Sequence, residues 1–177
     1  MKESYTVTGV SVYDGDTIRC ELEMEVEIPI GKLPVEAVIL GHPIKLEKVS
    51  VKPVGAVKRG TVKTLVLKGR VPVSARILGI DTPELKGPQS EAGKVVKKVV
   101  ERWFARHLKQ GHRIEAEFEC PDKYNGRTVL NVFPEKWDES LAGFLLRIGY
   151  AKPYDGGTKS RWTKSELDAI VSRGVKG

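Results

Sequence analysis

From Glu21 to Ile30 the chain alternates strictly, with Leu22, Met24, Val26, Ile28 and Ile30 set against Glu21, Glu23, Glu25 and Glu27. A period of two sends these sets to opposite faces of a strand. The glutamates therefore read as a solvated strand face rather than a metal cluster. Val7, Val10 and Val12 lead into this strand through the turn Tyr13-Asp14-Gly15-Asp16, so the opening is β-rich. Residues 31–74 mix β-branched residues with Gly31, Pro34, Gly41, Pro43, Pro53, Gly55, Gly60, Gly69 and Pro72. That punctuation predicts short strands separated by turns. A further strand is expected from Val73 to Ile80.

The period changes after Ser90. Val95, Val96, Val99, Val100, Trp103, Phe104 and Leu108 recur at helical spacing and predict a helix from about Ser90 to Lys109, stopped by Gly111. The Trp103–Phe104 pair reads as core. Strands follow at Arg113–Cys120 and at about Arg127–Phe133, separated by a polar loop. A helix from about Asp138 carries Leu141, Phe144, Leu145 and Ile148 inward and ends at Gly149. The last helix, Thr163–Ser172, opens on Thr163-Lys164-Ser165-Glu166, a capping-box pattern. Three strands, a helix, two strands and further helices suit an α+β, mainly β chain. The expected architecture is a five-stranded OB-fold Greek-key barrel with three helices and a β-rich insertion between the second and third strands.

The length of 177 residues suits one domain, 1–177, with the insertion at 31–74 inside it. Hydrophobic residues make up 40% and charged residues 30%, a globular rather than disordered balance. No apolar run approaches the roughly 18 residues a membrane span needs, and no membrane partner is expected. No apolar secretory stretch is visible after Met1, which makes the cytoplasm the default expectation. A monomer is expected. Cys20 and Cys120 are too few and too far apart for a disulfide framework or a zinc site; two separate thiols are expected, with a single bridge between them as the alternative. His42, His107 and His112 show no zinc spacing and read as surface or packing residues.

The net charge is +7. Residues 31–74 hold nine basic and two acidic groups, so the remainder of the chain is balanced. A polyanionic partner would feel its long-range attraction mostly through this segment. A solvated β-extension kept soluble by its lysines is the competing reading.

Three short blocks carry candidate chemistry: Asp14-Gly15-Asp16-Thr17, Arg76-Ile77-Leu78-Gly79-Ile80-Asp81-Thr82-Pro83-Glu84, and Asp122-Lys123-Tyr124-Asn125-Gly126-Arg127. Each alone is an ordinary turn or strand exit; their conjunction, in order and in the right contexts, is what signifies. Asp16 and Asp81 stand at strand ends, where distant segments meet. Paired carboxylates are hard ligands suited to calcium, magnesium or manganese. Glu84, past the rigid Pro83, stands near such an ion in a post suited to a general base. Arg76 and Arg127 are forked donors suited to phosphate oxygens.

Together these blocks resemble the active-site segments of the staphylococcal nuclease family. Gly87-Pro88-Gln89-Ser90-Glu91-Ala92 resembles the start of that family's first helix. The stretch from Leu141 to Gly149-Tyr150-Ala151-Lys152 resembles its second helix and exit, and Lys164-Ser165-Glu166 the start of its third. The resemblance covers nearly all of the chain outside 31–74. It implies that Asp16 and Asp81 are carboxylate ligands of Ca2+, with Thr82 giving a backbone carbonyl. It implies that Glu84 is the general base and that Arg76 and Arg127 bind the scissile phosphate. Lys123 and Tyr124 would bind a terminal phosphate, and Tyr154 would line the nucleotide pocket. Asp14 is expected to serve the turn or to support the ligands from behind. Two features depart from the family pattern: the 31–74 insertion replaces a much shorter loop, and Asn125 adds a residue before Gly126-Arg127. The implied activity is calcium-dependent endonucleolytic hydrolysis of DNA and/or RNA to 3′-phosphate products. The alternative is a non-catalytic nucleic-acid-binding module of the same fold; such modules lack the carboxylates and arginines that this chain keeps.

Overall fold

The computed structural model describes residues 4–29, 38–39, 42–43, 45–57, 60–119, 128–136 and 138–174. In chain order the elements are β1 (Ser4–Val12), β2 (Thr17–Pro29), β3 (Val38–Ile39), β4 (His42–Pro43), β5 (Lys45–Val57), β6 (Gly60–Ile77) and β7 (Ile80–Asp81). A 3-10 turn (Gly87–Gln89) then leads into α1 (Ser90–Lys109), followed by β8 (Ile114–Glu119), β9 (Thr128–Pro134), α2 (Leu141–Arg147), β10 (Lys152–Pro153) and α3 (Lys164–Gly174).

The main sheet runs β2-β1-β8-β9-β6-β5, and a β2–β6 pairing closes five of these strands on themselves. The result is a mixed, mainly β barrel of the OB type. β8 is antiparallel to β1 and β9, whereas β6 and β9 run parallel, with Ala75 opposite Thr128 and Arg76 opposite Val129. The expected barrel and three helices are both present.

Two compact units divide the chain: residues 1–20 with 73–177, and residues 21–72. In the first, the barrel strands contribute Val7, Ile18, Ala75, Ile77, Ile114, Leu130 and Val132 to a buried core. α1 adds Val96, Val100, Trp103 and Phe104, so the Trp–Phe pair is core, packed edge to face at 5.0 Å between ring centres. Leu108 departs from the expected stripe and is 52% exposed. At 100° per residue it falls about 100° from the middle of the buried face. His107, near that middle, is buried against Trp103 instead, with its Nδ1 3.1 Å from Nδ1 of His112.

Helix boundaries follow local chemistry. α1 ends where Gly111 takes a φ of 77°. α2 starts three residues later than the pattern suggested, because the Ser140 hydroxyl caps it by accepting from Gly143 N at 3.1 Å. α3 has the reciprocal capping box: Glu166 N donates to Thr163 Oγ1 and Thr163 N donates to Glu166 Oε2.

In the second unit, the alternation of β2 holds where side chains are described. Leu22 and Met24 are buried, and Glu21 and Glu23 pair with Arg70 at 3.7 and 3.5 Å. The expected short strands are instead mostly one long hairpin, with β5 antiparallel to β6 from Lys45↔Arg70 to Val57↔Gly60. β5 is the last strand of the sheet order, a position that tolerates Pro53. Register shifts between Leu46 and Lys48 and between Val54 and Val57 absorb irregularities in place of turns. Lys58 and Arg59, two of the nine basic groups of 31–74, lie outside the described residues, as does the side chain of a third, Lys63.

Candidate active site

The turn before β2 is shaped by its own polar groups. Asp14 Oδ1 accepts from Asp16 N at 3.2 Å, and the amides of Tyr13 and Asp14 both donate to Thr17 O. Asp14 is thus a turn residue, as its place in the block suggests. Ile77 N donates to Asp16 O at 2.7 Å, which ties the turn to the end of β6 and sets Asp16 beside Arg76.

Gly15 makes this approach possible. A Cβ there would lie 2.6 Å from Thr82 Oγ1 and 2.7 Å from a methyl of Val96. Gly93 plays the corresponding part on α1, where a Cβ would stand 2.5 Å from the backbone oxygen of Glu84. The two glycines let both carboxylate-bearing segments close against α1.

β6 ends at Ile77, short of the strand end expected at Ile80. Leu78-Gly79 turns the chain, with Leu78 N donating to Leu130 O and Gly79 at a φ of 79°. β7 then pairs with β10, Asp81 opposite Lys152, and Tyr154 N donates to Gly79 O at 2.9 Å. Asp81 and Thr82 are buried at 3% exposure each, and Asp16 at 4%.

One guanidinium nitrogen joins the two aspartates. Arg76 Nη2 lies 2.8 Å from Asp16 Oδ2 and 3.2 Å from Asp81 Oδ1. Asp16 Oδ2 also accepts from Thr82 N at 3.1 Å, and Asp16 Oδ1 from Thr17 Oγ1 at 3.2 Å. Burial pushes the Asp16 carboxyl up to about 6, against the opposing pull of Arg76 and the Thr82 amide; the charges of Asp14 and Asp81 push it further up. Among the described residues the buried Arg76 Nε has no partner, which leaves a donor suited to an anionic oxygen. The Arg76 guanidinium also stands 5.2 Å from the ring centre of Tyr154, so the structure brings Tyr154 to the phosphate-binding candidate.

Glu84 follows Pro83 on the outer side. Its amide donates to Gln89 Oε1 at 3.0 Å, and its carboxylate is 56% exposed. The sequence reading missed the residue that links it to Asp81. Lys159 Nζ lies 2.7 Å from Asp81 Oδ1 and 2.8 Å from Glu84 Oε1. Burial alone would lower the Lys159 ammonium, but its hydrogen bonds to Asp81 and Glu84 outweigh this and hold it above its ordinary value. Lys159 sits 75 residues from Glu84 in the chain, in a glycine-rich stretch with no motif, so no spacing signal pointed to it.

Asp16, Arg76, Asp81, Thr82, Glu84 and Tyr154 therefore gather at one place. Arg127, Lys123 and Tyr124 lie outside the described residues, as does Cys120; Cys20 is buried on β2. A separate cavity of about 300 Å³ between α1 and α2, lined by Trp103, Arg106 and Phe144 among others, includes none of the gathered residues. No helix among the described residues is long and apolar enough to cross a membrane.

No curated protein matches the chain. The model of the family described as staphylococcal nuclease homologue matches residues 74–172, from the end of β6 that carries Arg76 through most of α3. That is more than half of the chain, which therefore belongs to the staphylococcal nuclease homologue family.

Proposed function

We propose that this site hydrolyses phosphodiester bonds in DNA and/or RNA, with Ca2+ as its cofactor and 3′-phosphate ends as its products. The observation that carries the reading is the single Arg76 nitrogen shared by two buried aspartates from chain segments more than 60 residues apart. Family membership supports a nuclease-type function.

The donor set fits a hard cation. Asp16 and Asp81 offer buried anionic oxygens, close enough to share one donor. Among the described residues no group of three or more His, Cys, Asp or Glu could hold an ion. The rest of the shell would come from the Thr82 carbonyl and water, which suits calcium better than zinc. When bound, the ion would supply a positive centre that offsets phosphate charge.

The protein's own groups divide the remaining work. Glu84, exposed to water past Pro83, accepts a proton from the attacking water. Arg76, oriented by both aspartates and with Nε unspent, binds the scissile phosphate and stabilises the charge that builds on it. Arg127 is assigned the second phosphate-binding role, and Lys123 and Tyr124 the terminal phosphate. Tyr154, stacked by the Arg76 guanidinium, lines the nucleotide pocket.

A supercoiled-plasmid nicking assay tests this, run in calcium and in chelator with the wild type and Glu84→Gln. Nicking is expected only in calcium, with Glu84→Gln slower by about 100-fold or more and nucleotide binding retained. Cleavage unaffected by chelator would refute the metal assignment. Nucleic-acid binding without nicking in any metal would establish the non-catalytic module instead.

A further inference from the structure

Lys159 stands on the stretch between β10 and α3, and that stretch is fixed at several points. Tyr154 N donates to Gly79 O, Asp155 Oδ1 accepts from Gly157 N at 3.0 Å, and Lys152 Nζ reaches Arg161 O at 2.9 Å and Glu166 Oε1 at 2.8 Å. The backbone therefore delivers Lys159 to the carboxylates from a held position. Its Nζ sits 2.7 Å from Asp81 Oδ1, an oxygen that also receives Arg76, and 2.8 Å from Glu84 Oε1.

We propose that Lys159 is a built-in competitor for the cation site: its ammonium occupies the ligand oxygen of Asp81 and the base oxygen of Glu84 until a divalent ion displaces it. The inference rests on the reading of Asp81 as a metal ligand. Calcium–oxygen distances are about 2.3–2.6 Å. An ion at that distance from Asp81 Oδ1 and an ammonium at 2.7 Å from the same oxygen crowd two like charges around one acceptor.

Exposure decides which cation leaves. Arg76 is 10% exposed and pinned between both aspartates, whereas Lys159 is 42% exposed and can swing into water on its flexible stem. Because one ammonium holds both carboxylates, its departure frees Glu84 in the same event. Loading the ion thus unmasks the base, and the empty site holds its base neutralised.

The test is calcium binding without nucleic acid. Calcium is titrated by calorimetry into chelator-stripped wild type, Lys159→Gln, Lys159→Arg and Asp81→Asn, with thermal melts to confirm folding. Removing one unit charge about 4 Å from a divalent ion is worth about 30-fold in affinity at the dielectric constant of water, a lower bound beside the buried Asp81. Lys159→Gln is expected to bind calcium tighter by at least that factor, Lys159→Arg to stay near wild type, and Asp81→Asn to lose binding. If Asp81→Asn loses binding but Lys159→Gln binds no tighter, the competitor role is overturned and the metal reading stands. A gain in Lys159→Arg equal to that in Lys159→Gln also overturns it, since the charge would then not be the cause. If Asp81→Asn binds as the wild type does, or if no variant binds calcium, the ligand assignment falls and the competitor role falls with it.

Discussion

Replacing Arg76 with Met keeps much of the side-chain volume and removes the charge shared by Asp16 and Asp81. Both aspartates are almost fully buried, and the Arg76 side chain is only 10% exposed. Solvent therefore screens this cluster little. Breaking a buried ion pair by removing one partner costs about 3–5 kcal/mol, because the charge left behind has nothing to offset it. A domain of this size loses about 2–4 °C of Tm per kcal/mol, so Arg76→Met in chelator should melt about 6–20 °C below the wild type. The pH dependence has a definite sign. The Asp16 carboxyl is raised from 3.8 to about 6 in the folded state, so the folded protein binds more protons than the unfolded chain across that window. Its contribution to stability is greatest below the window and declines as pH rises through it. Arg76 is one of the groups pulling the Asp16 value down, so its loss extends the window upward. The deficit of Arg76→Met should accordingly be small near about pH 4 and fully developed near about pH 8. Calcium should restore part of it by supplying the missing positive charge. Melts across this pH range, with and without calcium, measure all three effects. A variant that melts within about 2 °C of the wild type at pH 8 in chelator would refute the claim that Arg76 holds the aspartates together.

Other perturbations test the frame around the site. Gly93→Ala places a methyl 2.5 Å from the Glu84 backbone oxygen and 2.8 Å from that of Pro83. It should cost about 1–3 kcal/mol and lower turnover by shifting Glu84, and melts and turnover matching the wild type would show that the contact is not tight. Glu166 is held well below its ordinary range, at about 2, by Lys152 and then by the amide and hydroxyl of Thr163. A depressed folded value contributes stability above the unfolded value of 4.5 that is lost as pH falls towards about 2. Glu166→Gln should therefore melt lower at neutral pH and approach the wild type in acid, and parallel Tm–pH curves would contradict this.

What was legible in the sequence is what a local signal encodes. The alternation around Leu22 and the stripe from Val96 to Phe104 report burial directly, because their periods match the geometry of strand and helix. The capping box at Thr163 and the stops at Gly111 and Gly149 are equally local. The meeting of Asp16 and Asp81 was legible only from the conjunction of the blocks, since each block alone reads as an ordinary turn. Legibility failed where a tertiary relation decides. Leu108 fits the apolar stripe in composition, yet lies off the buried face in angle. The punctuation of residues 31–74 suggested turns, yet β5 takes Pro53 at a sheet edge and accommodates irregularity as bulges. Gly93 looks like an unremarked residue in a helix until the Glu84 backbone is seen against it.

Lys159 is the extreme case, because nothing in its neighbourhood specifies a partner 75 residues away. Charge accounting at the site gives it a meaning that sequence could not. Asp16, Asp81 and Glu84 bring three negative charges at neutral pH, and Arg76 and Lys159 bring two positive ones. These five groups are therefore one charge short of neutrality, and Asp14 adds a further negative charge beside Asp16. Exchanging the ammonium for a divalent ion brings the same groups to zero. On this reasoning the exchange lessens the repulsion these groups exert on a phosphate, and it frees the carboxylate proposed as the base. Phosphate affinity should then rise with calcium in the wild type. In Lys159→Gln, where these groups start two charges short rather than one, that rise should be steeper.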